Sequence, residues 1–285
     1  MRHRLAKLFG TESPVIVVGC GGTGGFVAEG LCRLLLGTGR PIALIDHDRV
    51  EPHNIARQNF YPGDIGRYKS QVLAERLSGQ FGRPVAYAVH LVNGDLLSAT
   101  QYMPGMYSKP ALVIGCVDNP AARQAIATGF ARGAGMSPAW WIDSGNDDEW
   151  GQVLIGNRAS ISEFNPKPFV KATGLAEALP LPTVQQPGLL VGAAAPAADC
   201  ADEIAQGTQG PTINQAMAAL VLEAARQVLA GTCTWMAAYI NLRAGTLRYV
   251  EATPENAAMI WGCDPRRVVY GGYGPNTVKG AEDDD

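Results

Sequence analysis

The sequence predicts an α/β fold of Rossmann-like type: a mostly parallel sheet flanked by helices, with an antiparallel extension towards the C-terminus. Three features predict it. Short unbroken apolar runs rich in β-branched residues alternate with segments of helical periodicity, a glycine-rich turn follows the first run, and an acid closes the second. With 285 residues, 47% of them hydrophobic and 17% charged, the chain has ample apolar sequence to bury the core of one large α/β domain.

The first run, residues 14–19 (PVIVVG), has the composition of a parallel strand buried on both faces. Glycines and then a helix over 24–36 follow, with Phe26, Val27, Leu31, Leu34 and Leu35 at helical spacing and a stop at Gly37 and Gly39. Residues 41–46 (PIALID) form the second strand. It ends in Asp46, about 20 residues past the loop, where a βαβ unit places a ribose-binding carboxylate. A helix over 69–81, a strand over 85–92 and a buried strand over 111–116 (ALVIGC) come next, with Asp118 just past the last. Asn119 is suited to cap, and Pro120 to open, a helix running to about residue 130.

Residues 140–143 and 152–155 read as strands around a polar turn, with one of Trp140 and Trp141 in the core and the other at its rim. The stretch 161–211 is rich in proline and weak in periodicity, so it reads as a long crossover loop. Order returns over 211–229, where Ile213, Met217, Leu220, Val221, Ala224 and Val228 make one helical face ended by Gly231. A hairpin over 239–242 and 246–251 closes around Gly245. The expected organisation is one domain over 1–285: a nucleotide-binding half (1–160), the crossover (161–211), a closing helix and hairpin (212–280) and an acidic tail (281–285).

A net charge of -3 and a pI near 5.8 supply no global basic field, so nucleic acid is not an expected partner. The six cysteines stand singly without a Cys-x-x-Cys pair, which excludes a structural zinc of the usual spacing. With no signal peptide or long apolar span, the expectation is a reduced, cytoplasmic protein without a membrane segment. His3, His47, His53 and His90 form no metal-ligand spacing. Cys20, Cys32, Cys116, Cys233 and Cys263 read as packing residues.

The loop Gly19-Cys20-Gly21-Gly22-Thr23-Gly24 lets backbone approach a phosphate and sets it at the positive end of a helix. A tight turn without ligand, or a nicotinamide or flavin dinucleotide, would fit the same glycines. The residues downstream discriminate. Asp46-His47-Asp48 leads into Asn54-Ile55-Ala56-Arg57-Gln58 and then Lys69-Ser70, more polar equipment than a dehydrogenase needs.

This series resembles the ThiF, MoeB and ubiquitin-activating family, which carries a Gly-x-Gly-Gly-x-Gly loop, Asp-x-Asp, Asn-x-x-Arg-Gln, Lys-Ser and then Asp-Asn with an arginine beyond. Asp118-Asn119 and Arg123 stand in that last place. The resemblance covers about residues 14–160. It implies an adenylyltransferase that uses ATP and Mg2+ on the C-terminal carboxylate of a ubiquitin-like small protein, acts as a homodimer, and has a possible conjugating-enzyme-like acceptor downstream. A scaffold without catalysis is the alternative within the family.

In adenylation negative charge gathers at the α-phosphate and leaving pyrophosphate, so Arg57 as a fork and Lys69 as a point charge are the candidate clamps. Asp118 is the candidate magnesium ligand. Asp46 is expected at the ribose, with Asp48, Asn54, Gln58 and Asn119 at the nucleotide or its ion. Cys200 precedes a glycine-proline stretch and a small-residue helix, the place where thiol-transferring members hold an acyl acceptor; an inert loop thiol is its other reading. Two family marks are missing: the zinc-binding cysteine pairs and the N-terminal segment that lends an arginine to a partner subunit. Both departures resemble the compact members found in PRTRC-type bacterial gene systems.

Overall fold

The computed structural model describes residues 3–8, 10, 12–93, 111–131, 140–161, 167–191 and 210–270. Its strands are β1 (Arg4–Leu5), β2 (Val15–Val18), β3 (Ile42–Ile45), β4 (Ala86–Ala88), β5 (Leu112–Gly115), β6 (Trp140–Asn146), β7 (Trp150–Gly156), β8 (Phe169–Val170), β9 (Leu175–Ala176), β10 (Trp235–Asn241) and β11 (Thr246–Glu251). The helices are α1 (Gly22–Leu34), α2 (Lys69–Phe81), α3 (Pro120–Ala131), α4 (Pro182–Gln185), α5 (Pro211–Ala230), α6 (Pro254–Trp261) and α7 (Pro265–Tyr270).

Eight strands form one sheet in the order β11-β10-β7-β6-β5-β2-β3-β4. From β4 to β6 the neighbours run parallel, and from β6 to β11 they run antiparallel, as expected. β2 lies between β3 and β5, paired Val15 with Ile42 on one side and Val15 with Leu112 on the other. The chain thus leaves β2 in one direction and returns on its other side, which opens a crevice at the carboxyl ends of the strands.

The parallel strands alternate strictly between two apolar layers. Val15, Val17, Leu112, Ile114, Trp140 and Ile142 join the layer that holds α1 and α5. Ile16, Val18, Val113 and Trp141 join the layer with Ile126 and Phe130 of α3. Period 2 with both faces covered is why these strands read as continuous apolar runs. It also corrects the expectation for the tryptophans: both are fully buried, one on each face. Trp141 stacks on Phe130 at 6.0 Å, and Trp140 Nε1 donates to the Ala6 carbonyl at 3.1 Å.

α1 and α5 lie against each other because Gly30 has no side chain; a Cβ there would run into Leu222. α5 ends at Gly231, whose φ of 70° a residue with a side chain rarely adopts. A separate sheet, β1-β9-β8, pins the N-terminal segment. Leu5 N donates to the Cys233 carbonyl at 2.7 Å and Ala6 N to that of Ala176 at 2.8 Å.

The stretch 161–211 is therefore not one loop. Its residues 167–191 hold β8, β9, α4 and a 3-10 turn, Pro187–Leu190, with Phe169, Ala176 and Leu179 buried. The strand expected over 85–92 is shorter, Ala86–Ala88. Beyond the hairpin the chain adds α6 and α7, which the sequence reading did not place. Thr253 caps α6, its Oγ1 accepting from Asn256 N at 3.2 Å, with Pro254 in the first turn.

Candidate nucleotide site

The glycines between β2 and α1 are not equivalent. Gly19 has φ 86°, and a Cβ on it would collide with the Cys116 carbonyl; one on Gly24 would collide with the Gly19 carbonyl; one on Gly22 would meet the amide of Asn214. Backbone forbids a side chain at Gly19 and Gly24, and at Gly22 the obstacle is the Asn214 side chain. At Gly21 the nearest atom to such a Cβ is Gln58 Nε2, 3.8 Å away, so the chain alone does not forbid a side chain there. Gly21 caps α1 without a side-chain hydrogen bond, which leaves the helix's first N–H groups without a side-chain acceptor. Gln58 is buried beside it, and its Oε1 has no hydrogen-bond partner. Free donors at a helix start, room above Gly21 and an unpaired acceptor suit a ligand bearing both phosphate oxygens and hydroxyl or amino donors.

Asp46, just past β3, binds the loop. Its Oδ2 accepts from Cys20 N at 2.6 Å and its Oδ1 from Asp48 N at 2.8 Å. Burial pushes its carboxyl above the usual range, while the two backbone N–H groups and the Lys69 charge oppose that rise. The residue expected at the ribose thus also staples the glycine turn to β3. Ser70 Oγ lies 2.8 Å from the Asp46 carbonyl and 3.0 Å from that of Ala88, which fixes the start of α2 against β3 and β4.

Lys69 opens α2. Its N–H donates to the Asp48 carbonyl at 2.8 Å, and Nζ stands 3.1 Å from Asp48 Oδ2. Arg57 follows the 3-10 turn Pro52–Asn54; its N–H donates to the Asn54 carbonyl at 3.1 Å, and its carbonyl accepts from Asn214 Nδ2 at 3.2 Å. Asn54 is buried, with Oδ1 accepting from Glu51 N at 3.0 Å, so this amide holds the turn that presents Arg57.

On the other side of the loop, Asp118 is exposed beyond β5. Asn119 Oδ1 accepts from Ala122 N at 2.8 Å and caps α3. Arg123, one turn into that helix, is buried; its Nη2 donates to the Val117 carbonyl at 2.6 Å and its Nε to Asp143 Oδ2 at 3.2 Å. Asp143 is fully buried on β6, and burial pushes its carboxyl up to about 6 against the pull of Arg123. Its Oδ1 has no partner.

Asp46, His47 and Asp48 form a group whose potential ligand atoms lie within 4.8 Å of one another. His47 is the one histidine in that group, with Nε2 3.4 Å from Asp48 Oδ1. Asp118, the expected magnesium ligand, is not in that group. Cys20 and Cys116 border the loop and burial pushes both thiols up, consistent with packing roles. Cys200 and the acidic tail lie outside the described residues.

Sequence reading missed Asp143, Asn146 and Asn214. Asp143 and Asn214 are buried polar residues inside an apolar strand and a helix start, the pattern that marks a buried partner, whereas Asn146 ends β6 in a polar stretch and carries no such signal. Among the described residues no helix is long and apolar enough to cross a membrane.

Residues 6–146, which hold this site, match the family model described as "ThiF family". Over 175 residues the chain is 31% identical to "Ubiquitin-like modifier-activating enzyme 5" of Dictyostelium discoideum, covering 57% of this chain and 44% of that protein. Over 116 residues it is 33% identical to "Adenylyltransferase and sulfurtransferase uba4" of Aspergillus fumigatus, covering 40% of this chain and 22% of that one. The chain thus spans less than half the length of these relatives. The structure of E. coli MccB with ATP superposes with a TM-score of 0.54 at 16% identity, over 86% of this chain and 64% of that one, a likeness of fold.

Proposed function

We propose that the site binds ATP and adenylates a carboxylate, that of the C-terminus of a small ubiquitin-like or sulfur-carrier-like protein. The observation that carries this reading is the ring of polar residues around the glycine loop: Lys69 at Asp48 past β3, the Arg57 carbonyl bonded to Asn214 beside Gly22, and Asp118 exposed past β5. The names of the relatives, an activating enzyme and an adenylyltransferase, support it.

In this reading the α1 N-terminus and Gly21 receive the phosphates, and Gln58 Oε1 accepts from a nucleotide donor. The carboxylate oxygen attacks the α-phosphorus, the bond to the β-phosphate oxygen breaks, and pyrophosphate leaves. Arg57 and Lys69 hold the charge that builds on those oxygens. Bound Mg2+ would neutralise phosphate charge, with Asp118 as the ligand on this chain and Asp48 as a second carboxylate within its family of contacts to Lys69. Transfer to Cys200 is a further step of the same proposal, in which the thiolate attacks the acyl adenylate and releases AMP.

The test is ATP–pyrophosphate exchange with small ubiquitin-like and sulfur-carrier-like proteins offered as substrates. Exchange that requires the partner's C-terminal residue, and that Arg57→Ala abolishes, is the expected result. Preference for a nicotinamide or flavin dinucleotide over MgATP in direct binding would overturn the reading.

A further inference from the structure

α5 brings one polar side chain into the site from late in the chain. Asn214 lies in the first turn of that helix, fully buried beside Ile213, Met217 and Ala218. An amide with no access to water must satisfy both ends inside the protein. Its Nδ2 donates to the Arg57 carbonyl at 3.2 Å, and its Oδ1 accepts from Asn146 Nδ2 at 3.3 Å. Asn146, at the end of β6, accepts in turn from Thr23 Oγ1 at 3.1 Å. Gly22 is kept bare by the same Asn214 amide. One relay, Thr23 to Asn146 to Asn214 to the Arg57 carbonyl, thus joins the glycine loop, the sheet and the phosphate-clamp candidate.

We propose that Asn214 is a positioning residue that holds Arg57 in register with the glycine loop. This rests on Arg57 acting as a phosphate-binding cation. The Arg57 backbone is gripped at both ends, its N–H by the Asn54 carbonyl and its own carbonyl by Asn214. A backbone held at both its N–H and its carbonyl sets the point from which the guanidinium is aimed, which narrows the volume it searches. Without Asn214 the loop keeps the turn at Asn54 but loses its tie to α1 and β6. A plain packing role for Asn214 would stabilise the α5 start without regard to Arg57, and this is what the experiment separates.

A double-mutant cycle on the full chain reads MgATP affinity by calorimetry for wild type, Asn214→Ala, Arg57→Ala and the pair. Asn214→Ala is expected to weaken binding about 3- to 10-fold in the wild-type background, and by less than about 2-fold when Arg57 is already alanine. Equal losses in both backgrounds, or no loss in either, overturn the proposal. Asn214→Leu is the second variant should alanine fail to fold; it keeps the buried volume, removes the donor to Arg57, and is expected to repeat the cycle. An Arg57→Ala chain that binds MgATP like wild type overturns the proposal together with the clamp role beneath it. A wild type that binds MgATP but shows no exchange overturns the adenylation reading and leaves this cycle standing.

Discussion

Two acid–cation pairs flank the glycine loop, and they differ in almost everything except charge. Lys69 and Asp48 follow β3, with side chains 10% and 53% exposed and one contact of 3.1 Å. Arg123 and Asp143 sit beyond β5, 7% and 0% exposed, and the guanidinium uses Nε and Nη2 on two acceptors at once. The first pair is a point charge whose partner stands in water, so a phosphate can replace Asp48 at small cost. The second is locked on both sides by burial and geometry. Its work is to hold the Val117 carbonyl, and with it the corner from which Asp118 projects. One pair is therefore available to a ligand, and the other frames the place where the ligand sits.

The largest effect that would break this distinction is on the buried pair. Asp143→Ala leaves Arg123 charged and unpaired, and a guanidinium cannot shed its proton, so the variant should lose about 3 to 5 kcal/mol of stability in urea. Arg123→Met should cost less, because the abandoned carboxyl, already raised to about 6, escapes by taking up a proton. A cost below about 1 kcal/mol for Asp143→Ala would remove the pair's role as a frame. Lys69→Ala should do the opposite: stability within about 1 kcal/mol of wild type, but exchange slower by about 100- to 1000-fold. If instead its stability falls and its rate does not, the two pairs are alike.

The pH dependence sharpens the same contrast. The folded Asp143 carboxyl sits near 6, above its ordinary 3.8, so the folded chain holds this proton more tightly than the unfolded one. Its contribution is present in full below about pH 4 and is lost as pH rises through about 6, a change of roughly 3 kcal/mol at most. Urea melts of wild type and Asp143→Asn between pH 4 and 7 should differ in slope across that window and run parallel above it. Parallel curves throughout would place Asp143 outside the titrating groups.

Much of this site was legible because its signals are local. The strand before Gly19, the helix beginning at Lys69 and the cap and proline at Asn119 and Pro120 all depend on neighbours within one turn, and the structure returns them where the sequence placed them. Arg123 was legible as a family mark, but its partner Asp143 lies across two elements and has no local signature. Asn214 is more distant still, 157 positions from Arg57. The elements over 167–191 were missed because proline interrupts their periodicity, and their order comes from pairing with β1, which sequence distance hides. α6 was missed for a poorer reason, since Thr253-Pro254-Glu255 is a readable helix start.

The smallest expected effect bears on where the frame ends and the ligand begins. Asn119 caps the helix that carries Arg123, and it is also a candidate nucleotide contact, so alanine alone would confuse the two roles. Asn119→Ala should lower stability by about 1 kcal/mol through the lost cap to Ala122 N. Asn119→Asp keeps an oxygen in the capping position and places a negative charge near a positive helix end, so its stability should match or exceed wild type. The same charge next to Asp118 would repel phosphate. Weaker MgATP binding by Asn119→Asp at unchanged stability therefore puts this residue on the ligand side of the frame, whereas unchanged binding confines it to the cap and leaves Asp118 as the part of that corner that meets the nucleotide.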